Sequence, residues 1–288
     1  MAFYLGIDAG GSHCRSRLID ATGAVLGTGE TGPANARIGI EALQTVLADV
    51  ARQAIDGAGI GAADVVTVRA GIGVAGLSRQ GLRVQLEQVD FGFAATRFET
   101  DAVIANIGAH DGADGATLII GTGSIAQVRL DGKNFAIGGY GFPISDEGSG
   151  AALGLSAMRH ALRALDGRTK PTPLSAAVTA AFGHETARAI AWMDAATPRD
   201  YGSFAPVVMD YAEAGDEIAR AIVEDAARHI EQFIETIFSR GAPACALAGG
   251  LAPRMRPWLK ARTVARLREP IGDALDGALR LAGYRRAA

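Results

Sequence analysis

The sequence is poor in the residues that build disulfide frameworks, thiolate metal sites and redox centres. Only two of its 288 residues are cysteine, Cys14 and Cys245, and they lie far apart without CxxC spacing. The five histidines are also isolated from one another. A disulfide scaffold and a cysteine-rich zinc site are therefore disfavoured, and we expect a reduced, cytoplasmic protein with two incidental thiols.

Long apolar runs, strong net charge and a Walker phosphate-binding sequence are also absent. No segment has the roughly 20 consecutive apolar residues that a membrane-spanning helix needs, and no signal-peptide pattern is visible. The net charge is only −3, with basic residues scattered among acidic ones, which disfavours a nucleic-acid partner. The missing GxxxxGK[ST] pattern disfavours a P-loop kinase.

What the sequence has in excess is glycine. Its 38 glycines follow no period, and they predict tight turns and close backbone approaches rather than a collagen-like or low-complexity chain. With 49% hydrophobic and 20% charged residues, the chain can bury a sizeable core.

Two stretches of the chain, residues 3–27 and 116–138, resemble each other. Each has the pattern of a buried strand, a glycine turn, a second strand, a polar turn and a third strand. The matched order of the turns predicts a duplicated domain whose halves both begin with a β-meander.

The remaining sequence alternates between helical and strand patterns. Apolar residues recur at helical spacing in 41–55 and 216–238, whereas 65–74 and 244–247 have the pattern of short buried strands. This alternation predicts an α/β fold. We expect an N-terminal domain over residues 1–110, a C-terminal domain with helical insertions over 111–271, and a ligand cleft between them.

Three glycine turns follow predicted strands. The first two can let backbone N–H groups converge on phosphate oxygens, whereas the third could lie flat against an adenine or ribose. Taken alone, the first turn is more readily an ordinary hairpin, but the first two turns as a pair are more specific. The carboxylate of Asp8 at a strand end is suited to a hydrated Mg²⁺ ion. The predicted nucleotide-binding residues are Asp8, Gly10, Gly11 and Ser12 in the first turn, Gly121, Thr122, Gly123 and Ser124 in the second, and Gly249 and Gly250 in the third.

Asp101 follows a strand-like segment, 95–99, and precedes a helical pattern. A carboxylate at a strand end is well placed to act as a general base. The alternative is that Asp101 caps a helix that starts near Ala102, and both roles can hold at once.

Adjacent carboxylates, Asp146 and Glu147, lie in the glycine-rich segment 138–150. Paired acceptors among small residues suit the binding of sugar hydroxyl groups. The alternative is that they cap the helix that follows, although the glycines on both sides favour the first interpretation.

Together these motifs resemble the N-acetylglucosamine kinase and BadF/BadG/BcrA/BcrD ATPase family, within the sugar kinase, Hsp70 and actin superfamily. The resemblance implies two ribonuclease H-like, actin-like ATPase domains, use of ATP and Mg²⁺, a homodimer, and a last helix, within about 272–288, that packs on the first domain. It implies transfer of the ATP γ-phosphate to the 6-hydroxyl of N-acetylglucosamine, with glucosamine or N-acetylmuramate as alternative acceptors.

The resemblance also implies roles for individual residues. Asp101 matches the catalytic base, Asp8 would hold Mg²⁺ through water, and Ala212 would line the adenine pocket. The sugar contacts that it implies are Asn35, Asp101, Gly139, Tyr140, Gly141 and Asp146, with Glu147 beside them.

Three rival functions are disfavoured. Gly71, Gly73 and Gly76 spell GxGxxG, with Asp90 at the spacing of a ribose-binding acid, but a dinucleotide-dependent oxidoreductase leaves the other motifs unexplained. A non-catalytic sugar sensor does not need Asp101. A reductase-activating ATPase needs a cysteine-bound iron–sulfur cluster, and neither cysteine is suitably placed.

Overall fold

The structure is a computed structural model, and it describes residues 2–11 and 13–285. The chain divides into two compact units. Unit 1 comprises Met1–Thr117, Arg129–Asn134 and Glu269–Ala288, and unit 2 comprises Leu118–Val128 and Phe135–Arg268.

The first sheet has five strands in the order β3-β2-β1-β4-β5. Antiparallel pairing joins β1 to β2 and β2 to β3, whereas β4 pairs in parallel with both β1 and β5. The strands are β1 (Phe3–Ala9), β2 (Cys14–Ile19), β3 (Val25–Thr31), β4 (Val68–Val74) and β5 (Ala95–Glu99).

The helices of unit 1 cover this sheet. The long helix α1 packs on β2 and β3, where its buried leucines, Leu43 and Leu47, contribute to the core together with Leu5 and Ile72 of the sheet. The helices in this part of the chain are α1 (Ile40–Ala58), α2 (Ala62–Val65), α3 (Leu82–Glu87) and α4 (Asp101–Ala109).

The second sheet has the order β10-β9-β6-β7-β8. In both sheets the first strand is central, a meander lies on one side and two later strands lie on the other, so the duplicated α/β fold is confirmed. The strands are β6 (Gly115–Ile120), β7 (Ser124–Leu130), β8 (Lys133–Gly138), β9 (Cys245–Ala248) and β10 (Leu267–Arg268).

Most of the helices between Gly150 and Ser239 begin at a recognisable signal. Thr172 and Thr197 cap helices whose first residue is proline, a favoured first helical position. The longest helix, α10 (Glu217–Ser239), buries apolar residues that recur at helical spacing in its sequence. The helices of unit 2 are α5 (Gly150–Leu165), α6 (Pro173–Ala180), α7 (Thr186–Ala195), α8 (Pro198–Gly202), α9 (Ala205–Glu213), α10 (Glu217–Ser239), α11 (Ala252–Met255) and α12 (Ala261–Val264).

The last described helix, α13 (Ala274–Leu281), packs on β1, β4 and α4 in unit 1. Glycines make this close approach possible. A Cβ atom at Gly71 would lie 2.0 Å from the Ala278 carbonyl oxygen, and one at Gly277 would lie 1.8 Å from the Ile104 carbonyl oxygen.

The glycines of the GxGxxG sequence therefore have a packing role. Gly71 and Gly73 lie inside β4 rather than in a turn that opens a helix, and Gly71 is covered by α13. The dinucleotide-binding alternative is thus not supported. The strand predicted over 65–74 begins only at Val68, because Val65 ends α2.

Both cysteine thiols are free and fully buried. Burial raises the pKa of Cys14 to about 11 and that of Cys245 to about 12, so neither is a reactive thiolate at neutral pH. Among the described helices, none combines the length and apolar character needed to cross a membrane.

Candidate active site

Three acidic residues of unit 1, Asp8, Glu99 and Asp101, lie at the carboxyl end of its parallel strands, where open α/β sheets bind ligands. Asp8 in β1 lies beside Gly73 in β4, and Gly73 lies beside Glu99 in β5. Asp101 follows Glu99 by two residues, and it is close enough to Asp8 for that charge to affect its ionisation. The predicted metal-binding and catalytic carboxylates therefore share one edge.

Asp101 is the first residue of α4, and most of its side chain is buried. Burial, reinforced by the charge of Asp8, raises its pKa to about 6, although a hydrogen bond from the Ala102 N–H opposes the shift. That hydrogen bond to Asp101 Oδ1 measures 2.9 Å. A carboxyl group with a pKa near neutrality is well suited to accept a proton during catalysis.

The alternative role of Asp101 as a helix cap is wrong. The cap is Thr100, whose hydroxyl oxygen accepts a 3.1 Å hydrogen bond from the Val103 N–H. Asp101 therefore lies in the first turn of α4, at the positive end of the helix dipole, but it is not the residue that caps the helix.

Hydrogen bonds between the residues before and after the first glycine turn hold it in place. Across the hairpin, Arg15 Nη2 donates to Asp8 Oδ2 at 2.9 Å, and Gly10 N donates to the His13 carbonyl at 3.0 Å. Gly11 is exposed, and a side chain there would meet open space. Ser12, the fourth predicted residue of this turn, lies outside the described residues.

Asn35 lies beside this turn. The neighbouring Ala34 N donates to the Gly10 carbonyl at 3.0 Å, and Asn35 itself bridges to Ala75 at the end of β4. Its side chain accepts a 2.9 Å hydrogen bond from Arg37 N, which fixes the amide. Unit 1 therefore brings the predicted phosphate and sugar residues of its own half together.

The second glycine turn is docked on the start of α5. Gly150 N donates to the Gly121 carbonyl at 2.8 Å, and Ala151 N donates to the Thr122 carbonyl at 3.0 Å. Thr122 is exposed at the tip, whereas the buried Ser124 donates its hydroxyl to the Glu147 carbonyl at 2.8 Å. Ser124 thus links this turn to the predicted sugar loop.

Asp146 lies directly against the second turn. A Cβ atom at Gly123 would be only 2.9 Å from Asp146 Oδ2, so a side chain there would displace the Asp146 carboxylate. Burial raises the pKa of Asp146, while a hydrogen bond from the Ser124 N–H opposes the shift. Ser149 caps α5, so the alternative that Asp146 and Glu147 form the cap is not supported.

The loop after β8 has the backbone that its glycines predict. Gly139 and Gly141 have positive φ angles of 71° and 102°. Between them, Tyr140 is 84% exposed, so its ring is available to a ligand.

The third turn lies against the end of β6. Gly249 has a φ angle of 92°, and a Cβ atom there would be 2.4 Å from the Ile120 carbonyl oxygen. This contact places the open Gly250 close to the turn that begins at Gly121. Ala212 does not join this group, because its side chain is fully buried in α9 and lines no open surface.

Two arginines of the site region were not predicted from the sequence. Arg15 is the register partner of Asp8, and Arg83 binds the end of β5. Alternating burial in β2 places Arg15 and Arg17 on one face, so the pairing of Arg15 with Asp8 was open to prediction from the hairpin. Arg83 is distant in sequence from its partners and gave no such signal.

The residues present fit a magnesium ion held mainly by a nucleotide. Mg²⁺ usually takes one or two protein carboxylates together with substrate phosphates and water. Asp8 supplies a carboxylate at the strand end, and in the described part of the chain no three His, Cys, Asp or Glu residues form an all-protein cage.

Paired sheets of this topology, each with a glycine turn after its central strand, agree with the two ribonuclease H-like domains that the family resemblance predicts. The sequence pattern of the BadF/BadG/BcrA/BcrD ATPase family matches residues 5–282. The chain belongs to this family.

The chain is similar to several proteins that are named as amino-sugar kinases. Glucosamine kinase GspK of Vibrio cholerae is 36% identical over 98% of this chain and 96% of its own length. An N-acetylmuramic acid/N-acetylglucosamine kinase of Clostridium acetobutylicum is 28% identical over 80% of this chain and 77% of its own. The crystal structure of a candidate N-acetylglucosamine kinase from Chromobacterium violaceum has a TM-score of 0.91 and 32% identity, and it covers 98% of this chain and 99% of that one.

Proposed function

We propose that the protein is an ATP-dependent amino-sugar kinase that transfers the γ-phosphate of ATP to the 6-hydroxyl of the sugar. The observation that carries this proposal is the environment of Asp101. It is a mostly buried carboxylate at the start of α4, beside Asp8, and its pKa is raised to about 6. Such a group is suited to take the proton of an attacking hydroxyl.

Phosphoryl transfer depends on positioning and charge stabilisation more than on covalent chemistry. In our proposal Asp101 orients and deprotonates the hydroxyl, and Asn35, Tyr140 and Asp146 bind the sugar. Bound Mg²⁺, held through Asp8 and water, would neutralise phosphate charge. The N–H groups of the first two glycine turns would bind the phosphates, and the third turn would contact the adenosine; Gly11, Thr122 and Gly250 are exposed.

Glucosamine is the acceptor that we place first. The support is the 36% identity, over nearly the whole chain, to a glucosamine kinase. N-acetylglucosamine, which the family resemblance implies, is the second candidate, and the 32% identical structure from Chromobacterium violaceum supports it.

A coupled assay of ADP release tests the function and the acceptor together. The panel contains glucosamine, N-acetylglucosamine, N-acetylmuramate and, as the control without nitrogen, glucose. We expect the highest kcat/KM with glucosamine and a 6-phosphate product by NMR. ADP release that no amino sugar stimulates would refute the proposal. A preference for N-acetylglucosamine over glucosamine would reverse the order of the two candidate acceptors.

The family resemblance also supports a homodimer, and the two free thiols support a cytoplasmic location; we include both in the proposal. Sedimentation equilibrium of the full chain, with and without ATP, tests the first. A single species at the monomer mass of 29.6 kDa would refute it.

A further inference from the structure

Arg83 ties helix α3 to the end of strand β5. Its Nη1 donates to the Phe98 carbonyl oxygen at 2.6 Å, and its Nη2 donates to Glu99 Oε2 at 2.9 Å. One guanidinium group therefore holds the backbone of one residue and the side chain of the next. The planar geometry of arginine makes such a double contact directional, and a lysine ammonium group cannot reproduce it.

The end of β5 needs such a contact because β5 is an edge strand. Among the described strands it pairs with β4 alone, at the end of the order β3-β2-β1-β4-β5. The outer side of an edge strand carries backbone groups without a strand partner. Arg83 approaches the last two residues of this strand and supplies a donor to one of their carbonyl groups.

Arg83 lies on a helix that is packed against the protein core. Its helix is anchored by Leu82 and by Leu86, which is completely buried. Glu87, one turn further along α3, lies 3.9 Å from Arg83 Nη1 and balances its charge. Because Arg83 lies on a packed helix, its guanidinium group fixes the strand end relative to that helix.

Only Thr100 separates this strand end from Asp101. Thr100 caps α4 through its 3.1 Å contact with Val103 N, so the short segment from Glu99 to Asp101 is anchored at its middle residue. A shift of the β5 end therefore moves Asp101.

We infer that Arg83 is a positioning residue, which fixes the carboxylate of Asp101 by holding Phe98 and Glu99 from α3. The inference rests on the proposed function of Asp101 as the general base. Misplacing a catalytic group by about 1 Å costs on the order of a hundredfold in rate. The role of Arg83 thus belongs to kcat rather than to nucleotide affinity.

The test compares Arg83→Gln and Arg83→Lys with a matched control, Arg97→Gln. Arg97 lies on the same strand, and its side chain also donates to a backbone carbonyl, but to that of Leu281 at 3.4 Å rather than to Phe98 or Glu99. We expect Arg83→Gln to lower kcat for sugar phosphorylation about tenfold or more, with the KM for ATP unchanged. Arg83→Lys should fall between Arg83→Gln and wild type, and the control should match wild type.

A double-mutant cycle separates positioning from a general structural role. In an Asp101→Asn background, Arg83→Gln should cause no further loss of residual activity, because the carboxylate that it positions is gone. An equal loss in both backgrounds would overturn the inference. So would a wild-type kcat in Arg83→Gln.

Hydrogen exchange keeps the inference testable even if the proposed function fails. Exchange in the peptide that covers residues 98–104 should accelerate in Arg83→Gln and remain at the wild-type rate in Arg97→Gln. Unchanged exchange in both would overturn the inference. A wild-type enzyme that phosphorylates no amino sugar would refute only the proposed function.

Discussion

At the scale of single residues, Asp101 links burial to the pH range of activity. A general base works only when ionised, and burial raises the pKa of this carboxyl group to about 6. We therefore predict that kcat/KM rises with pH through about 6 and levels off above it. A profile measured from pH 5 to 8 with saturating ATP checks this, and a flat profile down to pH 5 would contradict the assignment.

The same burial means that Asp101 is retained at a cost in stability. Its raised pKa shows that folding favours the neutral form, so the ionised group opposes folding above pH 6. Asp101→Asn should therefore stabilise the protein by on the order of 1 kcal/mol at pH 7.5, while it lowers kcat about a hundredfold or more. Thermal unfolding and the kinase assay measure the two effects. A variant that is both less stable and active would contradict this prediction.

At the scale of elements, Asp216 connects two helices of unit 2. Its Oδ1 accepts hydrogen bonds from Ile218 N and Ala219 N at the start of α10, and its Oδ2 accepts one from Leu174 N in α6 at 3.0 Å. Burial raises the pKa of Asp216, but these N–H groups outweigh burial, and the net shift is downward.

Asp216→Ala should lower the free energy of unfolding by about 1 to 3 kcal/mol. Because the folded-state pKa is lowered, the stabilisation is present above the ordinary value of 3.8 and is lost as the pH falls through the lower folded value. Urea unfolding at pH 7 and pH 3 checks both statements. Asp225→Ala, an exposed carboxylate on the same helix, is the control and should cost less than about 1 kcal/mol.

The contact between α4 and α13 predicts opposite outcomes for two glycines. A Cβ atom at Gly277 would be 1.8 Å from the Ile104 carbonyl, so Gly277→Ala should destabilise unit 1 by about 1 to 3 kcal/mol or more. Gly57, inside α1, has only an ordinary contact at 3.8 Å, and Gly57→Ala should stabilise by about 0.5 to 1 kcal/mol. Changes in the urea midpoint of the same sign for the two variants, relative to wild type, would contradict this packing.

Elements with a strong local signal were predictable from the sequence. The helical period of 216–238 places Ile222, Ile230 and Ile234 on the buried face of α10, as found. The repeated order of strands and turns also predicted two sheets of one topology. Local periodicity could not predict that Val65 ends a helix, since a short apolar run suits either structure.

Features of the site that depend on contacts distant in sequence were less accessible. Thr100, and not Asp101, caps α4, and a Thr-Asp pair before a helix leaves that choice open. The grip of Arg83 on Phe98 and Glu99 arises only when α3 packs beside β5. The burial of Ala212 likewise depends on the packing of α9.

At the scale of the whole molecule, the two thiols report on both units. Cys14 lies in unit 1 and Cys245 in unit 2, and both are fully buried with pKa values raised by burial. We predict that neither reacts with a thiol reagent at pH 8 in the native protein and that both react in denaturant. Cys14→Ser and Cys245→Ser then assign each rate to one unit. Rapid native labelling of either would contradict its burial.

The position of α13 also affects how the protein is made. The strands of the first sheet are complete at Glu99, yet α13, which covers Gly6 and Gly71 of that sheet, begins only at Ala274. At about 5 to 20 residues per second, a ribosome needs roughly 10 to 35 seconds to synthesise the intervening chain. During that interval the nascent chain lacks α13, so the face of the sheet around Gly6 and Gly71 waits for its final cover until this helix emerges.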